Sequence, residues 1–175
     1  MLHFYKAERK DAAAIASLIN SAYRGESSRL GWTTEADIIE GLRTTSQEIA
    51  SIIDEPHTFI LLGVLRDEIV ATTCCKYHEG AAHLGMIAVK PVLQNKGYGK
   101  MMILAAESMT RREWGVRSFQ MNVITLRDTL IAFYERMGYQ RTGLTKDFPA
   151  QSDLWQVKVD GLTFTLLEKT LDVVN

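Results

Sequence analysis

Cysteine is nearly absent from this chain of 175 residues, which carries only Cys74 and Cys75. They are neighbours on an expected strand, where successive side chains point to opposite faces, so both are expected to stay reduced and to pack. No His or Cys cluster at ligand spacing accompanies them, and no metal is expected. An excess of one charge is missing as well: 20 Lys and Arg stand against 21 Asp and Glu, for a formal charge of −1. No global field draws such a chain to nucleic acid or to an anionic membrane, so partners must be recognised locally. No apolar run approaches the ~18 residues that span a bilayer. The start, Met1-Leu2-His3-Phe4-Tyr5-Lys6, lacks the charged and then apolar pattern of a signal peptide, and a cytoplasmic location is expected. Without repeats, low-complexity tracts or linkers, residues 1–175 are expected to form one domain.

Periodicity supplies the elements. Ile15, Leu18, Ile19, Ala22 and Tyr23 recur at helical spacing, predicting a helix over 11–24 capped by Asp11 and ended by Gly25. Thr34 with Asp37 predicts a second helix to about Arg43, and a shorter one follows Ser46. Residues 58–65, 69–78 and 82–89 are rich in β-branched and aromatic side chains and read as an antiparallel meander. A long helix follows, its core face marked by Met101, Met102, Ala105 and Met109. Residues 119–123 read as a strand, the stripe Leu130, Phe133, Tyr134, Met137 as a helix stopped by Gly138, and Tyr139–Leu144 as another strand. Asp160-Gly161, flanked by Val157, Val159, Leu162 and Phe164, reads as a hairpin turn. This order predicts an α/β (α+β) mixed sheet with helices on both faces.

The most informative segment is Gln94-Asn95-Lys96-Gly97-Tyr98-Gly99, between the run Leu84–Val89 and the helical run Lys100–Arg112. A strand, a glycine-containing turn and a helix start make a cradle of backbone N–H groups at the positive end of a helix dipole, a site for a pyrophosphate. A nucleoside triphosphate loop would need a hydroxyl after Gly99-Lys100, where Met101 stands. A dinucleotide fingerprint would need a third glycine, where Met102 stands.

Taken with Tyr134-Glu135-Arg136-Met137-Gly138-Tyr139, the loop resembles the two signature blocks of the GNAT superfamily of acetyl-CoA-dependent N-acetyltransferases. Gln94, Gly97 and Gly99 match the first block, and the second differs from the family's common form only by like-for-like residues. The resemblance is firm over residues 58–146. It implies a mostly antiparallel sheet of about seven strands in which the family's fourth and fifth strands, here 82–89 and 119–123, run parallel and splay apart to admit the acyl-CoA arm. It departs from the family pattern at Arg127 and Leu130, where Asn and Ala are common.

The resemblance also implies roles. Backbone groups of Asn95, Lys96, Gly97, Tyr98, Gly99 and Lys100, with Gln94, would hold the pyrophosphate of acetyl-CoA, and Ile87, Ala88 and Val89 would pair with the pantetheine arm, one N–H polarising the thioester. Tyr134 stands where many members carry the general acid, and a phenol of pKa ~10 can protonate a thiolate whose thiol lies near ~8.5. His83 is the candidate base, since imidazole titrates near pH ~6.5. Tyr23, Arg24, Arg29 and Trp32 form an aromatic and cationic group suited to an acceptor with a flat part and a carboxylate, Asn122 can hold substrate or water, and Phe148-Pro149 is a further wall. The expected function is acetyl transfer from acetyl-CoA to a primary amine of a small molecule by direct attack in a ternary complex. Acetylation of a protein or peptide, or acyl-CoA sensing without catalysis, are the alternatives. The expected partner is a small-molecule amine, with neither nucleic acid nor membrane, and a homodimer is left open.

Overall fold

Alternation in the central strands sets the two faces of the molecule. In β3 (Thr58–Leu65), Phe59 and Leu61 join one buried cluster while Ile60 and Leu62 join another, as a period of two requires. Each such fully buried aliphatic side chain contributes roughly 1.5–3 kcal/mol. The computed structural model describes residues 1–149 and 152–173. The chain order is β1 (His3–Lys6), α1 (Ala12–Tyr23), β2 (Ile39–Gly41), α2 (Ser46–Asp54), β3, β4 (Glu68–His78), β5 (Ala81–Val89), α3 (Tyr98–Trp114), β6 (Ser118–Ile124), α4 (Asp128–Arg136), β7 (Gln140–Asp147), β8 (Trp155–Val157) and β9 (Thr163–Thr170). A seven-stranded sheet runs β1-β3-β4-β5-β6-β9-β7, and β2 pairs with β8 separately. Helices α1 and α2 cover one face with Ile60, Leu62 and Ala88, while α3 and α4 cover the other with Phe59, Leu61 and Phe119. Cys75 and Cys74 fall on opposite faces, and burial pushes the Cys74 thiol up to about 11.

One pair of strands opens the sheet. β5 and β6 are parallel, matched at Ala81 with Ser118, Ala82 with Phe119 and His83 with Gln120, and then part. β6 stays on β9 along its whole length, from Ser118 to Ile124. β5 stays on β4 but carries an extra residue, since Thr72 faces Ala88 while Cys74 faces Gly85, and Met86 takes φ +45°. Such a bulge bends its strand, so the backbone edge beyond His83 is released from β6.

Several expected elements differ. The helix expected over 34–43 is absent. The Thr34 hydroxyl accepts from the Ala36 N–H, the Asp37 carboxylate pairs with Arg29, and Ile39–Gly41 pairs as a strand with β8. Distant strand pairing overrides the local capping pattern there. Asp11 caps the short turn before α1, accepting the Glu8 N–H, rather than α1 itself. Met101 is exposed, and the buried face of α3 runs through Met102, Ile103, Ala106, Glu107 and Thr110. Gly161 turns the chain at φ +67°, but β8 and β9 belong to different sheets, so no hairpin forms.

Candidate active site

The loop from β5 to α3 is shaped by two left-handed residues, Asn95 at φ +63° and Gly97 at φ +82°. Asparagine tolerates that region and glycine enters it without penalty. The result turns successive amides the same way. Among the described residues the backbone N–H groups of Asn95 to Lys100 find no acceptor, and the first helical bond of α3 runs from Met101 N–H to the Gly97 carbonyl at 3.1 Å. Six free amides at the positive end of a 17-residue helix are suited to an anion with several oxygens.

The side chain of Gln94 does not face that anion site. Its Oε1 accepts from the Trp32 N–H at 2.8 Å, and its Nε2 donates to Thr33 Oγ1 at 2.9 Å and to the Val89 carbonyl at 3.1 Å. Gln94 therefore ties the loop after α1 to the end of β5, and a Cβ on Gly31 would collide with its amide. This clamp holds Trp32 edge-on against Phe133, ring centroids 5.6 Å apart.

Two cavities open where β5 and β6 part. One, of about 290 Å³, lies on the loop side among Trp32, Val89, Gln94, Gly97, Lys100 and Phe133. The other, of about 190 Å³, lies among Arg24, Glu35, Arg43, Asn122, Phe148 and Trp155. Ile87, Leu130 and Tyr134 line both, so the cavities meet at those three side chains.

At the junction the two tyrosines differ. Tyr23 is buried and its hydroxyl donates to the Ile87 carbonyl at the bulge, which fixes the released edge of β5. Burial, reinforced by the Glu35 charge, pushes its phenol up to about 12. Tyr134 is buried too, and its hydroxyl has no hydrogen-bond partner among the described residues. Burial above all raises its pKa well beyond the ordinary phenol range. Both stay protonated at neutral pH.

The second cavity is cationic. Glu35 is buried and accepts from Arg24 Nε at 3.1 Å and from Arg127 Nη1 at 3.3 Å, while Arg24 Nη1 also donates to the Leu42 carbonyl at 3.1 Å. Burial pulls the Arg24 pKa down, and Glu35 opposes that pull. Arg43 is anchored by its backbone N–H on Asn20 Oδ1 at 2.8 Å, but its guanidinium has no partner among the described residues.

The residues expected from sequence divide accordingly. Tyr23, Arg24, Asn122, Tyr134 and the Phe148-Pro149 wall come together around the second cavity, and Ile87, Val89, Gln94, Asn95, Gly97, Gly99 and Lys100 around the first. Trp32 lies on the loop side rather than in the acceptor group. Ala88 turns its side chain into the α1 cluster, and Tyr98 packs on the main core. Lys96 is exposed beside the anion site and does not line the cavity. Arg29 pairs with Glu26 and Asp37 outside it. Arg127, one of the two departures from the family pattern, has a largely buried side chain held by Glu35. His83 is not brought to either cavity: it sits where β5 and β6 are still paired, its ring 5.7 Å from that of His78. Burial, then the charge of His78, lowers its pKa. Glu35, Arg43, Trp155 and Phe164 line the second cavity and were not singled out by sequence. Glu35 and Arg43 lay in the segment expected as a helix, where nothing local marks an inward carboxylate. Among the described residues no helix is long and apolar enough to cross a membrane.

Residues 13–139 match the model of the Acetyltransferase (GNAT) family. Solved structures with the same fold include the ribosomal-protein-S18-alanine N-acetyltransferase of Escherichia coli, 14% identical, with a TM-score of 0.73 over 100% of this chain and 97% of that one. The PaiA N-acetyltransferase of Thermoplasma acidophilum, solved in complex with coenzyme A, is 15% identical, with a TM-score of 0.67 over 98% and 99%. An N-acetyltransferase of Staphylococcus aureus is 13% identical, with a TM-score of 0.70 over 98% and 99%. No protein of curated function matches the chain by sequence.

Proposed function

Since the chain belongs to the GNAT family of acetyltransferases, we propose that it transfers the acetyl group of acetyl-CoA to the primary amine of a small molecule, by direct attack with both substrates bound. The observation that carries this reading is the meeting of two cavities at Ile87, Leu130 and Tyr134. A donor in one and an acceptor in the other would bring their reacting ends to the same three side chains, converting a bimolecular encounter into an oriented one. The cavity of about 190 Å³ between Arg43, Phe148 and Trp155 favours a small acceptor over an extended peptide.

The amides of Asn95 to Lys100 hold the pyrophosphate. Lys96 and Lys100, both exposed, add a screened attraction. The edge of β5 at Ile87, Ala88 and Val89 orients the pantetheine arm, and Tyr23, hydrogen-bonded to the Ile87 carbonyl, keeps that edge in place. Bound acetyl-CoA supplies a thioester. An N–H of the β5 edge polarises its carbonyl, a contribution worth about 10²–10³ in rate at comparable sites. The Tyr134 hydroxyl, unpaired within the described protein, donates its proton to the departing sulfur.

Loss of the ammonium proton needs no residue base. Glu35 is the cavity's carboxylate, and its oxygens accept from Arg24 and Arg127. Three guanidiniums, Arg24, Arg43 and Arg127, against one carboxylate favour the neutral amine, and water in the open cavity takes the proton.

Calorimetry tests the donor site. CoA is expected to bind at one site, and pantetheine, which lacks the pyrophosphate, at least about tenfold more weakly, the loss of one or more charge-assisted hydrogen bonds. Equal affinities, or no CoA uptake by folded protein, would sink the reading, while CoA uptake without thiol release across an amine panel would favour a sensor. His83→Gln is expected to change kcat/KM by less than about twofold, with the acidic limb of the pH profile unmoved. A catalytic His83 would instead impose a loss of rate as pH fell through its lowered pKa, a limb that the variant would abolish.

A further inference from the structure

Arg43 carries a charge that the described protein leaves unmatched. Its guanidinium lines the acceptor cavity and finds no acceptor there, whereas its neighbours Arg24 and Arg127 both donate to Glu35. Its backbone is fixed at the same time, because Asn20 Oδ1 accepts from the N–H groups of both Arg43 and Thr44, at 2.8 and 3.1 Å. Arg43 lines the same cavity as Tyr23, Arg24 and Tyr134, the last at the junction between the cavities. A half-buried cation beside two more guanidiniums is repelled by them, and an incoming anion relieves that repulsion.

The rest of the cavity limits what the anion is attached to. Phe148 lies 6.2 Å from Trp155 and 4.8 Å from Phe164, the rings tilted by 58° and 44°, giving an aromatic apolar wall beside the charged groups. The amine end belongs near Tyr134, where the cavities join. A volume of about 190 Å³ lies below the ~300–1,000 Å³ usual for drug-sized ligands. The acceptor must then present an amine, an anion and a modest apolar group within the span of one small molecule.

Resting on the transferase reading above, we propose that the acceptor is a free amino acid or a close analogue: its carboxylate pairs with the Arg43 guanidinium, its apolar side chain lies against Phe148 and Trp155, and its amine reaches the junction at Tyr134. A planar guanidinium matches a carboxylate through two parallel hydrogen bonds, which a lysine could not supply. The N-terminus of a peptide has an amide where this carboxylate would be and leaves Arg43 unpaired. The chemistry therefore separates a free amino acid from a protein substrate at one side chain.

The test compares the standard amino acids with their α-amides and with the corresponding decarboxylated amines, following CoA thiol release in the full chain. At least one apolar or aromatic amino acid is expected to exceed its amide in kcat/KM by about ten- to a hundredfold, the fold-change of a charge-assisted pair. Arg43→Gln is expected to collapse that ratio toward one, and Arg43→Lys to restore only part of it, with the melting curve of each variant reporting its folding. Amides or plain amines used as well as the acids, no acid used at all, or a preference that survives Arg43→Gln in folded protein would each overturn the proposal. CoA calorimetry on the same preparations keeps the two readings apart: CoA uptake with amine turnover but no carboxylate preference sinks this inference alone, and absent CoA uptake sinks the transferase reading beneath it.

Discussion

Tyr134→Phe lowers kcat by about 10²-fold or more and leaves the melting temperature almost unchanged, the size expected when a positioned general acid is lost. The separation of the two effects follows from the surroundings of the hydroxyl. The ring is buried between Phe133, 5.5 Å away, and Tyr139, 6.2 Å away, and phenylalanine keeps both contacts. The hydroxyl itself has no hydrogen bond to lose among the described residues, so its removal strands no partner. Its raised pKa means that the phenol carries its proton throughout the neutral range, so a proton is in place when the sulfur departs. The measurement is steady-state thiol release with a good acceptor, alongside a thermal melt. A loss of kcat under about threefold would assign the proton to water and leave Tyr134 a packing role. Equal losses in kcat and in stability would point to a distorted core instead.

Glu35→Ala is expected to destabilise the fold by about 3–5 kcal/mol, the usual result of removing one partner from a buried ion pair. The exposures decide the magnitude: the side chains of Arg24, Glu35 and Arg127 are 3%, 8% and 9% accessible, so water does not replace the lost carboxylate. Two guanidiniums would be left facing each other in a low-dielectric site. Surface pairs such as Lys76–Glu55, more than 40% accessible on both sides, are worth ~0–1 kcal/mol by comparison. The triad also joins elements from different parts of the chain: Arg24 follows α1, Glu35 lies in the loop before β2, and Arg127 precedes α4. Its loss should therefore loosen the acceptor cavity as well, and activity should fall with stability. At roughly 2–4 °C per kcal/mol for a chain of this size, the melting temperature should drop by about 6–20 °C, and a drop below about 2 °C would mean that the arginines find other partners.

The loop proposed to hold the donor was legible because it is local. Asn95 to Lys100 are consecutive, and the turn, the missing acceptors and the helix dipole all follow from that short stretch. Tyr134 was legible for the same reason, lying within a stripe and a block that can be read in order. Gln94 was legible as a position but not as a contact: its amide serves Trp32, Thr33 and Val89, and only the return of the loop after α1 brings Trp32 and Thr33 to it. The second cavity was poorly legible. Arg24, Glu35, Arg43, Phe148 and Trp155 come from segments far apart in sequence, and no spacing rule links them. His83 shows the converse relation between sequence and place. It has the right chemistry near the right strand, but it precedes the point where β5 leaves β6 and so faces the paired end of the opening.

By itself the amino-acid order determined the meander, the helix pairs on its two faces, the turn with free amides before α3 and the tyrosine on α4, because each arises from periodicity or from bonds between near neighbours. The tertiary structure alone decided that residues 39–41 become a strand, that a bulge at Met86 frees the edge of β5, and that two arginines close around Glu35. Those outcomes depend on which distant groups compete for the same backbone edge or the same charge. That competition is settled by packing, once strands and helices from opposite ends of the chain have been brought within a few ångströms of one another.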